Sequence, residues 1–116
     1  IHGSCANALF FLADNGLSAY TADIIQLNKW QHVVVTWNGS MQYANVQFYV
    51  DGIAYTNNGG CSVNGSTRAD DSDLGFLIGS GTSASANPFN GLIDEVRVYN
   101  RALTADEIKR LYNMGR

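Results

Sequence analysis

Asp94 is the residue whose type and position most invite chemistry. It lies in the run Leu92-Ile93-Asp94-Glu95-Val96-Arg97-Val98-Tyr99. Read as a strand, this run places Asp94, Val96 and Val98 on one face, because side chains alternate along an extended chain. Two valines turn that face inward, and a carboxylate there needs a partner, since an unpaired buried charge is costly. One such partner is Ca²⁺, which takes roughly six to eight oxygen ligands. The other is a set of backbone N–H groups or an arginine. Asp70, Asp71 and Asp73 form the chain's acidic cluster, with Asp71 and Asp73 as further candidate Ca²⁺ ligands. That cluster lacks the Asp-x-Asp-x-Asp-Gly spacing of an EF-hand loop, and a solvated surface is the competing reading. A retaining glycosidase needs two carboxyl groups about 5 Å apart. Asp94 and Glu95 cannot supply them, because neighbours on a strand point to opposite faces.

The remaining polar residues offer recognition rather than bond-breaking. His2 and His32 have no ligand-like spacing, and no Ser-His-Asp set or phosphate-binding glycine loop stands out. Sugar recognition uses aromatic rings for stacking and amides or carboxylates for hydroxyls. Tyr49 and Gln47, opposite the Val46/Phe48/Val50 face, are candidates, as are Tyr20, Tyr43 and Tyr55. For each tyrosine, ordinary sheet packing is the rival reading. Trp30 and Trp37 flank an apolar strand and read as core. Cys5 and Cys61 invite a disulfide, with two buried thiols as the alternative; a secreted-looking composition favours the bridge. Asn38-Gly39-Ser40 and Asn64-Gly65-Ser66 match the glycosylation acceptor pattern, but Asn-Gly turns explain both, and no glycan is inferred.

These residues must be positioned by strands. His32–Trp37 is β-branched and aromatic and stops at Asn38-Gly39. Val46–Val50 alternates, ends at Asp51-Gly52 and is followed by Ile53-Ala54-Tyr55, which predicts a hairpin with a type I′ turn. Gly75–Gly79 and Leu92–Tyr99 are further predicted strands, with weaker ones at Leu9–Leu12 and Leu17–Ile25. One helix closes the chain. Thr104-Ala105-Asp106-Glu107 is a capping box, and Ile108, Leu111 and Tyr112 form one apolar stripe for docking on a sheet. Gly115 ends it near C′. Residues 57–73 and 79–90 read as loops. The class is all-β, an antiparallel β-sandwich with one short C-terminal helix.

The bulk numbers narrow the partners. A chain of 116 residues fits one domain. Charged residues are only 15 % and the net charge is −3, so no basic surface for nucleic acid is expected. No apolar run reaches the ~20 residues that span a bilayer, which argues against membrane insertion. The start at Ile1 rather than Met reads as a processed or cut terminus.

The order of the motifs resembles a known family. Trp30-Gln31-His32-Val33-Val34-Val35-Thr36-Trp37-Asn38-Gly39 precedes Phe48-Tyr49-Val50-Asp51-Gly52 and Leu77-Ile78-Gly79. Phe89-Asn90-Gly91-Leu92-Ile93-Asp94-Glu95-Val96-Arg97-Val98-Tyr99-Asn100-Arg101-Ala102-Leu103-Thr104 follows. The chain resembles the concanavalin A-like lectin/glucanase superfamily in its laminin-G-like jelly-roll branch, over about residues 17–113. The resemblance implies a non-catalytic carbohydrate-binding or adhesion module of a secreted or cell-surface protein, with a possible structural Ca²⁺ at the sandwich edge. It also implies front strands that this chain lacks, so residues 1–116 read as one module truncated at its N-terminal side. Those strands would come from a removed segment or a strand-pairing partner. A structural or protein–protein interaction domain of the same fold is the alternative. A glycoside hydrolase fragment is the remote one. The superfamily's retaining glucanases carry Glu-x-Asp-x-x-Glu on one strand; around Asp94 those outer positions are Leu92 and Arg97, so no catalytic residues are expected.

Overall fold

The computed structural model describes residues 7–13, 16–57, 60–67, 76–80 and 88–115. Its elements are β1 (Phe10–Ala13), β2 (Leu17–Tyr20), β3 (Val33–Trp37), β4 (Val46–Val50), β5 (Ile53–Tyr55) and α1 (Ala105–Met114). The strands form two antiparallel sheets, β1-β2 and β3-β4-β5. The chain clusters into two compact units. One comprises Ile1–Ala69 with Arg101–Arg116, the other Asp70–Asn100.

Within the first unit, the two sheets face each other across an apolar layer. Leu17 and Ala19, alternate residues of β2, meet Val46 and Phe48, alternate residues of β4, and all four are buried. Phe11, Ala13, Trp37, Met41 and Tyr43 pack around them. Burial of such side chains supplies about 1.5–3 kcal/mol each relative to exposure. Thr21 is also buried and ties the sheet's flank, accepting from the Leu9 N–H at 3.0 Å. Val63 extends the smaller sheet through a two-bond bridge with Ser18.

The period-two pattern of β4 leaves Tyr49 on the opposite face, and there α1 covers it. Tyr49, Leu103 and Ile108 form a second buried cluster with Val34 and Leu111. The β4–β5 connection is the expected tight turn: Asp51 and Gly52 have φ of 52° and 77°, the positive pair that a type I′ turn requires. Space is also tight at position 52, where a Cβ would meet Tyr112 Cδ1 at 3.2 Å. The β3–β4 connection is longer and carries a 3₁₀ turn at Tyr43–Asn45. The capping box of α1 is formed: Thr104 Oγ1 accepts from the Glu107 N–H, and the Thr104 N–H donates to Glu107 Oε2 at 2.8 Å. Gly115 caps the end with φ −86°, so the helix stops without a left-handed residue.

The second unit departs from the expected strands. Phe76–Ile78 and Leu92–Tyr99 form no strand among the described residues, and Gly75 lies outside them. The alternation of apolar residues is present, but alternation makes a strand only where a neighbour accepts its N–H and C=O groups. Without one, Leu92, Ile93, Val96, Val98 and Tyr99 are all exposed.

Candidate functional site

The expected inward carboxylate is not inward. Asp94 is exposed, and its Oδ1 accepts the Glu95 N–H at 2.8 Å. Glu95 itself lies in the left-handed region, φ 51°. Asp71 and Asp73 lie outside the described residues, as does Cys5. Among the described residues no three His, Cys, Asp or Glu side chains converge as a cation cage. No cysteine there is a free thiol.

The tyrosine candidates separate. Tyr49 is a correction: it does lie opposite Val46 and Phe48, but that face is under α1, so the ring is spent on packing against Leu103 and Ile108. Its neighbour Gln47, on the same face, donates its amide N–H₂ to the carbonyls of Tyr55 at 2.7 Å and Phe48 at 3.2 Å. Tyr43 packs on the inter-sheet core, and its backbone is tied on both sides. Asn64 Oδ1 accepts its N–H at 3.0 Å, and its carbonyl accepts from Asn57 Nδ2 at 2.8 Å. Tyr55 is half-buried opposite Phe48. Tyr20 alone reaches the outer face of the smaller sheet. It stacks on Phe10, its cross-strand partner, with ring centroids 5.4 Å apart and planes 18° from parallel. Phe10 is 60 % exposed, and Leu12 and Val63 beside this pair are exposed as well.

The second correction is Trp30. Trp37 behaves as core: it packs on Phe11 at 5.2 Å, and its Nε1–H donates to the Ser40 carbonyl at 2.7 Å. Trp30 is 64 % exposed. It sits at the end of a loop fixed by its own polar groups. Asn28 turns the chain with φ 59°. The Gln26 N–H donates to Gln31 Oε1 at 2.8 Å, and Lys29 Nζ donates to Gln26 Oε1 at 3.0 Å. Each glutamine therefore uses its oxygen to brace the loop and keeps its amide N–H₂ without a partner among the described residues. An exposed indole on such a braced loop, with glutamine amides and an ammonium on the same loop, can stack on an apolar ring face while the polar groups hydrogen-bond the substituents around it. Sequence reasoning placed Trp30 inside because it precedes an apolar strand. The signal that could have found it was Leu27-Asn28-Lys29, a turn-forming polar stretch that lifts the next residue off the sheet.

His32 packs as expected. Its N–H donates to Asp51 Oδ1 at 2.9 Å and its ring lies 6.0 Å from that of Tyr112. Both Asn-Gly-Ser sequences spend their asparagine oxygens on backbone N–H groups, Asn38 on Ser40 and Asn64 on Tyr43.

Comparison with known proteins follows this geometry. A family model described as the concanavalin A-like lectin/glucanases superfamily matches residues 4–109. Among solved structures, an S-layer domain-containing protein from Clostridium thermocellum ATCC 27405 is similar, at 19 % identity and a TM-score of 0.54. The similarity covers 97 % of this chain and 64 % of that one, so this chain spans under two thirds of its length. At that identity the likeness speaks for the fold. No curated protein matches the chain.

Proposed function

The chain belongs to the concanavalin A-like lectin/glucanase superfamily, and from that premise we propose that it is a non-catalytic carbohydrate-binding or adhesion module of a secreted or cell-surface protein. The observation that carries this reading is the exposed Trp30 on its braced loop, with Gln26, Lys29 and Gln31 around it. Phe10 and Tyr20 offer a second aromatic surface on the smaller sheet. Ring faces bind the C–H faces of a pyranose, and amides bind its hydroxyls. The residues flanking Asp94 support the non-enzymatic part, since position 92 is Leu and position 97 is Arg where the resemblance to the fold's glycosidases would need acids.

Several finer assignments accompany the reading. Cys61 is not a free thiol and Cys5 is the chain's other cysteine, which supports a Cys5–Cys61 bridge and an oxidising compartment. Asp94 is proposed as a ligand of a structural Ca²⁺ at the sandwich edge, and Asp71 and Asp73 separately as candidate ligands in the acidic loop. The Asp94 carboxylate is exposed and one of its oxygens is spent on a single backbone N–H.

A second reading, a structural or protein-binding domain, is favoured by the solvent-facing apolar side chains of residues 76–80 and 88–100. The similar solved chain is described as an S-layer domain-containing protein. Thermal unfolding with Ca²⁺, with EDTA and with a glycan panel tests both, because a ligand of the folded state raises the melting temperature. A glycan-dependent rise abolished by Trp30→Ala supports the lectin reading. No rise with any glycan, including laminarin, favours the structural one. Release of reducing sugar from laminarin would instead make the chain a hydrolase fragment.

A further inference from the structure

We propose that Asn38 is a site of spontaneous covalent modification, where the folded chain converts its own asparagine to isoaspartate and so loosens the corner after β3. Asn-Gly pairs favour this reaction. Glycine has no Cβ to obstruct attack by its main-chain nitrogen on the preceding side-chain amide. The sequence holds five such pairs, beginning at Asn15, Asn38, Asn58, Asn64 and Asn90. Asn15 and Asn58 lie outside the described residues, and Asn90 belongs to the other compact unit. Asn38 and Asn64 share one unit and are both exposed, so exposure does not separate them. Their hydrogen bonds do.

At Asn38 the reacting groups are ready. Its Oδ1 accepts the Ser40 N–H at 3.0 Å. That donor polarises Cγ and stabilises the negative oxygen that forms when Cγ is attacked. The nucleophile is unengaged, because the Gly39 N–H donates to no group among the described residues. Hydroxide removes the Gly39 N–H proton, and the nitrogen bonds to Asn38 Cγ. The Cγ–Nδ2 bond then breaks, and the amide nitrogen takes a proton from water and leaves as ammonia. Water opens the resulting cyclic imide. Attack at Cγ gives aspartate, and attack at the main-chain carbonyl carbon of residue 38 gives isoaspartate, whose chain runs on through Cγ.

At Asn64 the same closure is obstructed. The Gly65 N–H donates to the Met41 carbonyl at 2.9 Å. The Asn64 side chain is held by the Tyr43 N–H, which it accepts at 3.0 Å. Gly65 is also wedged in place: a Cβ there would meet the Met41 side chain, and the Leu17 nitrogen at 2.8 Å. Bringing Asn64 Cγ onto the Gly65 nitrogen breaks both bonds and moves backbone that lies against Leu17.

The surroundings of Asn38 make the product consequential. β3 ends at Trp37, whose Nε1–H donates to the Ser40 carbonyl at 2.7 Å. Ser40 Oγ accepts from Asn45 Nδ2 at 2.8 Å. Both sides of Asn38-Gly39 are therefore anchored. Isoaspartate adds one main-chain carbon and one negative charge between the anchors, and the strain falls on the Trp37–Ser40 bond. Trp37 packs on Phe11, so the core edge loosens with it.

The test ages the whole chain in mildly alkaline buffer at physiological temperature, folded and in urea. Cleavage after aromatic residues places Asn38 and Asn64 on different peptides. Mass spectrometry with isoaspartate-specific enzymatic methylation then reads each one. In the folded chain Asn38 is expected to convert faster than Asn64 on the order of tenfold, since two hydrogen bonds must break first at Asn64. In urea the two rates should converge. The aged chain should melt below the fresh one. Asn38→Ser keeps an acceptor for the Ser40 N–H and has no amide to lose, so its melting temperature should not fall on ageing. Equal conversion at Asn38 and Asn64 in the folded chain overturns the proposal. So does an aged chain, converted at Asn38, that melts where the fresh chain does.

Discussion

Trp30 and Trp37 are seven residues apart on one segment, and the structure gives them opposite tasks. Truncating each to alanine therefore separates site from core. Trp37 is half-buried, packs on Phe11 and bonds the Ser40 carbonyl. Large-to-small substitution of a buried aromatic costs about 3–5 kcal/mol. Partial exposure takes the packing loss below that range, and the stranded Ser40 carbonyl adds about 1 kcal/mol. The expectation for Trp37→Ala is about 3 kcal/mol. Trp30 is 64 % exposed and no hydrogen bond of its loop uses its side chain. Its removal falls in the range of ordinary surface substitutions, within about 0.5 kcal/mol. Urea unfolding followed by far-ultraviolet circular dichroism reads both differences without relying on the tryptophans themselves. The same pair predicts spectroscopy. In the wild-type chain a quencher dissolved in water should extinguish the Trp30 component first, and the residual emission should be the bluer Trp37. A Trp30→Ala variant destabilised as much as Trp37→Ala would refute the exposed-platform geometry, whatever its effect on glycan binding.

Three further outcomes are expected. Gly52→Ala should lose about 1–2 kcal/mol, since φ 77° is unfavourable for a residue with a Cβ and the new methyl would press on Tyr112; equal melting temperatures would show the turn to be adaptable. The Arg101 guanidinium, followed by the Thr104 N–H, lowers the Glu107 carboxyl to about 2. A depressed carboxyl stabilises the fold fully above its unfolded value near 4.5 and loses that contribution as pH falls toward 2. The Glu107 side-chain carbon should therefore titrate near 2 by NMR, and Arg101→Gln should move its midpoint upward. If Cys5 and Cys61 are bridged, they close a loop of about 57 residues, which the chain-entropy account values at about 4 kcal/mol. Cys61→Ser should lower the unfolding free energy by up to that amount, and unchanged stability under reducing and oxidising conditions would remove the bridge.

The sequence determined what depends on neighbours along the chain. Asp51-Gly52 specified its turn because two consecutive positive φ values suit that pair. Thr104 and Glu107 specified the start of α1 because three residues is the reach of a reciprocal cap. Val46, Phe48 and Tyr49 fell on their faces by the period of an extended strand. Tertiary structure decided what lies over each face, which no local period encodes. Tyr49 was legible as opposite Phe48, but α1, some sixty residues later, made that face an interior. Trp30 looked like core by its apolar company, yet a polar loop turned it to solvent. Leu92–Tyr99 carries a strand's alternation and forms no strand among the described residues, because a strand's pairing is satisfied by another piece of chain and not by its own sequence.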